Sequence, residues 1–316
     1  MPSDGLRAVN AYVIAGKGSL TVIDPGVDVE PARVALDSAL AYLGAGVPDI
    51  TCILVTHFHY DHYSLAAALH ESLGTTVAIG ACEGPSLQAL QVAKAPFARQ
   101  VQQLKAYGAA DLAVRVGQLP SDGRINRLIA KSPSLWLVDE QVVSTGEDQL
   151  RAIHTPGHTR GHMVFRDEAR HLLFAGDHIL PSITPSIGFE PSAQQRPLEN
   201  YLMSLHRIRT LSESTLLPAH GAVTDSVHRR VDELLAHHEV RLAHAASAIT
   251  NGAATALEAA ARLRWTSRAR TLSSLDVFNQ MLAVLETGFH LDLLHERGDL
   301  ERTSISGVWH FASNQH

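Results

Sequence analysis

The chain has 316 residues, enough for one large domain or two smaller ones, and its 45% hydrophobic content can fill a core. A formal charge of -6 exerts no general pull toward nucleic acid or an anionic membrane. Two cysteines, Cys52 and Cys82, exclude a disulfide framework, so a metal would be held by carboxylates and by the 19 histidines rather than by thiolates.

The first residues, "MPSDGLRAVNAYVIAG", lack the charged-then-apolar order of a signal peptide, and no stretch reaches the ~18 apolar residues of a membrane span. A cytoplasmic protein with no membrane partner is expected. "VNAYVIA" and "SLTVID" flank "GKG", a hairpin signal, and "DPG" closes the second strand. "PARVALDSALAYL" has helical spacing, with Pro31 suited to a first turn and Gly44 to the end. "ITCILVT" reads as a strand covered on both faces, "LAAALHESLG" as a helix and "TTVAIG" as a strand, a layered α/β arrangement. Residues 83–131 predict a helical insertion of two or three helices interrupted by Pro96, Gly108 and Pro120. Strands return in "SLWLVDEQVVSTGEDQLRAIHTPG", "HMVFRDEARHLLFAGD" and "STLLPAHG", with a helix in "RPLENYLMSLHRIRTL". The expected division is a catalytic domain over 1–224 and a C-terminal region over 225–316. There, three helices and a hairpin turning at Ser306-Gly307 follow the pattern of a winged helix.

"THFHYDHYS" places His57, His59, Asp61 and His62 directly after the apolar run "ITCILV". A loop beyond a strand's carboxyl end is where α/β folds place ligands. In an extended or turning loop His57 and His59 point the same way, and Asp61 with His62 can face a neighbouring point, one metal–metal separation away. "IHTPGHTRGH" adds His154, His158 and His162, "FAGDH" adds Asp177 and His178, and "LPAHG" adds His220, each after apolar, strand-like residues. Three protein ligands per metal with a position left open is the catalytic pattern for zinc.

These motifs, in this order, resemble the metallo-β-lactamase superfamily of hydrolases, over about residues 9–224. The resemblance implies a four-layer αββα sandwich and two divalent metals, zinc first, with iron or manganese open. It implies that His57, His59 and His158 bind one metal, that Asp61, His62 and His220 bind the second, and that Asp177 bridges them. A water held there would act as hydroxide, which Asp61 could orient. Phe58 and Tyr60 line the mouth of the site or pack in the core. His162 is expected as a supporting partner or substrate contact, and His178 is expected to point to the opposite face unless it meets substrate. His154 falls in a loop, and His237, His238 and His244 are expected in solvent on a polar helix.

The superfamily shares its site among many reactions. "AIHTPGHTRGH" resembles glyoxalase II and lactonase-type members, which favours a small-molecule acyl substrate: a thioester, ester or lactone. Leu180, three after Asp177, stands where homoserine-lactone lactonases carry a tyrosine, and no basic glutathione clamp is visible. The alternative, resembling the β-lactamase-like protein 2 group, is single-stranded RNA cleavage, although only "RLRWTSRAR" at 262–270 is locally basic. A non-catalytic winged-helix regulator is the third reading. The C-terminal region is expected to cover the site mouth or to form a homodimer contact, and the insertion to act as a lid over the acyl pocket.

Overall fold

A computed structural model describes residues 8–16, 18–93, 95, 97–120, 123–129, 131–266 and 268–314. Pro96, expected as a helix breaker, and position 17 of the "GKG" turn lie outside them. β1 (Tyr12–Gly16) and β2 (Ser19–Ile23) form that hairpin, with Gly16 opposite Ser19. α1 (Glu30–Tyr42) carries Pro31 in its first turn, and Gly44 beyond it is left-handed at φ 74°. β3 (Ile50–Val55), α2 (Tyr60–Leu73), β4 (Thr76–Gly80) and β5 (Leu135–Leu137) complete a sheet of order β1-β2-β3-β4-β5, parallel except at β1.

The two-residue period of these strands builds two cores at once. Val22, Ile53, Val55, Val77 and Ile79 face the helices and pack with Leu36, Leu40, Leu65 and Leu69. Their neighbours Ile23, Leu54, Ala78 and Leu137 point the other way, onto Leu150, Ala152, Met163, Phe165 and Phe174 of a second sheet. Burying each such side chain contributes about 1.5–3 kcal/mol, which fixes the register that aims the strand ends. The second sheet has the order β10-β9-β8-β7-β6, from β6 (Gln141–Ser144), β7 (Gln149–His154), β8 (Met163–Asp167), β9 (Leu172–Gly176) and β10 (Thr215–Pro218). On its outer side the end of α7 (Pro197–Thr210) is tied to β7 and the loop after it, Ser204 Oγ donating to Pro156 O (2.9 Å) and Arg207 Nη1 to His154 O (3.2 Å). The layering is α/β, as expected.

Among the described residues the insertion holds four helices rather than two or three: α3 (Gly84–Val92), α4 (Ala98–Ala106), α5 (Ala110–Val116) and α6 (Gly123–Ile129). The chain divides into two compact units, residues 1–92, 122–185 and 203–232 in one, and 93–121, 186–202 and 233–316 in the other. This differs from the linear division at 224. α3 and α6 stay with the sheets, while α4 and α5 join the C-terminal elements α9 (Ala256–Arg262), α10 (Val277–Glu296), β11 (Leu300–Ile305) and β12 (Val308–Ser313). The reason is Tyr107, buried against Gly288 of α10, where a Cβ would come within 2.3 Å of its ring, and donating to Asp292 at 2.6 Å.

The second unit keeps the expected order of helices and hairpin. Asp276 accepts from Asn279 N–H at the start of α10, and Ser306 and Gly307 make the hairpin turn at φ 51° and 82°. The solvent expectation fails at His238. In α8 (Val227–Thr250) the buried stripe runs through Val231, Leu234, His238, Leu242 and Ala245, so helical spacing carries this histidine inward. Among the described residues, no helix is long and apolar enough to cross a membrane.

Candidate metal centre

The site lies entirely in the first unit, where the carboxyl ends of several strands meet. β2 and β3 run parallel, and β7, β9 and β10 also share one direction. Met163 N–H donates to Thr56 O (2.8 Å), joining the sheets at this edge, and Ala219 N–H to Gly176 O (3.0 Å) draws the ends of β9 and β10 together. Gly176 is required here. It is left-handed at φ 52°, and a Cβ would meet Thr56 Oγ1 at 2.6 Å and His162 Nε2 at 2.7 Å.

One detail differs from the loop expected in sequence. α2 begins at Tyr60, so Asp61 and His62 sit in its first turn, where the helix dipole favours a carboxylate. The extended segment ends at His59 (ψ 149°).

All seven expected residues come together. His57 Nε2 lies 3.2 Å from His158 Nε2, which lies 3.0 Å from His59 Nδ1. Asp61 Oδ2 is 3.6 Å from His62 Nε2 and 3.4 Å from His220 Nε2. Asp177 serves both groups with different oxygens: Oδ2 is 3.6 Å from His158 Nε2, while Oδ1 is 3.6 Å from His62 Nε2 and 3.4 Å from His220 Nε2. Three overlapping sets, His57/His59/His158, His57/His62/Asp177 and Asp61/His62/His220, each gather their ligand atoms within 4.8 Å.

The outward nitrogens explain why the inward ones are available. Thr56 Oγ1 donates to Asp24 Oδ2 (2.7 Å), so it accepts from His57 Nδ1–H at 3.1 Å. His62 Nδ1–H donates to Asp24 Oδ2 (2.9 Å) and His220 Nδ1–H to Ala8 O (2.7 Å). In each of these three rings Nε2 is therefore the nitrogen that points inward.

His57 Nε2 and His59 Nδ1 both stand within 3.0–3.2 Å of His158 Nε2, three ring nitrogens drawn to one point. That spacing is close to the ~3.3 Å edge of a tetrahedron with ~2.0–2.1 Å metal–nitrogen bonds. His62 Nε2, His220 Nε2 and Asp177 Oδ1 are buried without a hydrogen-bond partner among the described residues, which is costly unless a cation satisfies them. The residues therefore fit metal ions.

Charge leads to the same conclusion. Asp24, Asp61 and Asp177 are each under 10% exposed, an arrangement that needs compensating positive charge. Burial disfavours a charged His62, but Asp61, Asp24 and Asp177 outweigh it and raise its pKa to about 10 in the metal-free site, so a metal displaces this proton. Burial, then repulsion from His62 and its neighbours, holds His57 neutral. Burial also pushes Asp177 up, whereas at Asp61 the same effect is overcome by His62 and His220.

Asp24 was missed in sequence. It stands in "DPG", read as a turn; it is left-handed at φ 48°, and its Oδ1 also accepts from Thr56 N–H at 2.8 Å. An aspartate directly after a strand was the available signal. His162 supports rather than ligates: its Nε2 accepts from Asp177 N–H (3.2 Å), and Nδ1–H donates to Thr155 Oγ1 (3.0 Å). His178 is fully buried, and burial lowers its pKa to about 3. Phe58 belongs to the core beneath α2, and Tyr60 is half-buried against it, so the mouth-lining alternative fails for Phe58. His154 Nε2–H donates to Arg160 O at 2.8 Å, away from the cluster.

The family model of the metallo-beta-lactamase superfamily matches residues 4–220. A metallo-β-lactamase family protein of Thermus thermophilus superposes with a TM-score of 0.80 at 27% identity, covering 99% of this chain and 96% of the other. The β-lactamase-like protein 2 homolog of Drosophila melanogaster is 24% identical over 75% of this chain and 66% of its own length. The atrochrysone carboxyl ACP thioesterase of Aspergillus fumigatus is 33% identical over 31% of this chain. The match spans only 28% of that thioesterase, and 32% of the lactamase-like protein aptB of Emericella nidulans.

Proposed function

The chain belongs to the metallo-β-lactamase superfamily, and we propose that it is a hydrolase with a two-metal site acting on an acyl thioester. The observation that carries the two-metal reading is the split of Asp177, with one oxygen toward His158 and the other toward His62 and His220. His57, His59 and His158 would hold one cation, Asp61, His62 and His220 the other, and Asp177 both. When bound, such a pair supplies Lewis acidity and lowers the pKa of water from 15.7 to about 7.

The remaining roles belong to the chain. Asp24 and Thr56 hold the outer nitrogens of His62 and His57, so the inner nitrogens are turned toward the metal sites. His162 holds the backbone of Asp177. Asp61 and Asp177 are the buried carboxylates placed to orient the attacking water. The seven residues and the supports Asp24, Thr56, Thr155 and His162 include no lysine, arginine or tyrosine to protonate a leaving group. That favours a leaving group that departs as an anion. A thiol, with a pKa near 8.5, leaves without help, whereas an amine or alcohol does not. Leu180, buried and apolar three residues after Asp177, supplies no phenol either. The name of the Aspergillus fumigatus thioesterase agrees with this choice.

The test is a panel at equal concentration: zinc-loaded protein with an acyl-CoA, an aryl ester, a lactone, single-stranded RNA and a phosphodiester. Highest kcat/KM on the thioester is expected. Turnover of RNA alone would replace this reading with the ribonuclease one.

A further inference from the structure

We propose that the second unit holds a binding site for a small primary ammonium compound, in a cavity of about 140 Å³ between α4, α10, β11 and the segment leading into α7. Every residue lining it belongs to that unit, and none is among the seven clustered residues or their supports. Helical spacing gives α10 one wall, with Phe289, Asp292, Leu293 and Glu296 at i, i+3, i+4 and i+7. Phe289 and Leu293 are buried and make that wall apolar in part, while Asp292 and Glu296 bring carboxylates to it. The volume is close to the ~150 Å³ that takes a benzene, so there is room for a body of about six heavy atoms.

What the lining lacks is donors. Gln103 Oε1 and both ends of the Gln194 amide, Oε1 and Nε2, are buried without a hydrogen-bond partner among the described residues, a costly state for polar atoms unless something else meets them. Three carboxylates, Glu199, Asp292 and Glu296, face two guanidiniums, and both cations are already engaged. Arg302 pairs with Asp292 at 2.6 Å, and Asp292 also accepts from the Tyr107 hydroxyl. Arg196 pairs with Glu199 at 3.1 Å and reaches Glu296 only at 3.5 Å, long for a hydrogen bond. Burial, with Glu199 and Asp292 nearby, raises the Glu296 carboxyl above its ordinary range despite the two arginines. The unmet groups are therefore three acceptors, Gln103 Oε1, Gln194 Oε1 and Glu296, to one donor, in a lining with surplus negative charge. An ammonium answers both needs, because it carries three N–H donors, a positive charge and no acceptor of its own. Its alkyl body would lie on Phe289 and Leu293. Water satisfies the hydrogen bonds but not the charge.

The test is isothermal titration calorimetry of the full-length, zinc-loaded protein with butylamine hydrochloride, which is expected to show a single saturable site. Tetramethylammonium keeps the charge without N–H groups, and 1-butanol keeps the alkyl body without the charge. Each should bind about 10-fold more weakly or worse. Glu296→Gln and Gln103→Leu should each weaken butylamine by about 10-fold or more. Asp177→Ala, which disturbs the metal centre instead, should leave this binding unchanged. The melting temperature of ligand-free Gln103→Leu should not fall, because the acceptor it removes has no partner in the free protein; that variant keeps the test open should Glu296→Gln fold poorly. No saturable butylamine binding would leave the cavity to solvent and overturn the assignment. Equal binding of tetramethylammonium would overturn it too, as would butylamine binding that is lost in Asp177→Ala and kept in Gln103→Leu.

Discussion

The two units each bury a group of histidines, and they do so in opposite ways. In the second unit His290 Nδ1–H donates to Glu286 O (2.7 Å), and its Nε2 accepts from His238 Nδ1–H (3.1 Å). The rings stack 5.3 Å apart as a donor–acceptor chain, and the Glu286 carboxylate is engaged by Arg241. In the first unit the outer nitrogens are bound to Asp24, Thr56 and Ala8 O, and the inner nitrogens converge around two carboxylates. Both groups are buried. What separates a packed pair from a metal centre is where the N–H groups go, and whether carboxylates lie among the nitrogens left over.

The largest effect should come from Asp177→Ala, which removes the one group shared by both sets. We expect a loss in kcat/KM on the order of 10³-fold or more and fewer than two zinc ions per chain, read by steady-state kinetics and elemental analysis. A variant that kept both ions would erase the contrast between the units.

The second unit should also respond to acid. Burial lowers the pKa of His290 from the ordinary 6.5 to about 4, and His238 is lowered as well by burial and by His290 beside it. The folded state then holds fewer protons than the unfolded chain across this window. Stability present above pH 6.5 is lost as pH falls toward 4, by a total on the order of 3 kcal/mol for His290. Calorimetry of the zinc-free protein from pH 7.5 to 4.5 reads this directly.

Asp24→Asn keeps the shape but loses the charge that orients His62, and should weaken zinc by about 10–100-fold at the subsite containing His62. The matching change in the second unit is His238→Phe with His290→Leu. Replacing both partners by apolar groups should leave stability at pH 7.5 within about 1 kcal/mol of wild type, flatten the acid transition and leave zinc binding untouched. A single His290→Leu strands the His238 N–H and should cost about 1–3 kcal/mol.

These contrasts also show what a sequence can carry. The seven clustered residues were legible because each follows an apolar strand, and parallel strands bring their carboxyl ends to one edge. Asp24 was hidden by its Pro-Gly neighbours, which read as turn chemistry; that turn also delivers a carboxylate to His62. His238 was misplaced because two adjacent histidines look polar, although its spacing from Val231, Leu234 and Leu242 put it on the buried stripe. The division into units was not legible at all. It depends on Tyr107 meeting Gly288 and Asp292, a pairing across 185 residues that no local pattern encodes.

The most direct test of the central claim is equilibrium dialysis of the stripped, full-length protein against zinc, with bound metal counted per chain. Two saturable ions, falling to one or none in Asp177→Ala and unchanged in the His238→Phe/His290→Leu double variant, is the expected result. No saturable binding, or a stoichiometry indifferent to Asp177, would contradict it.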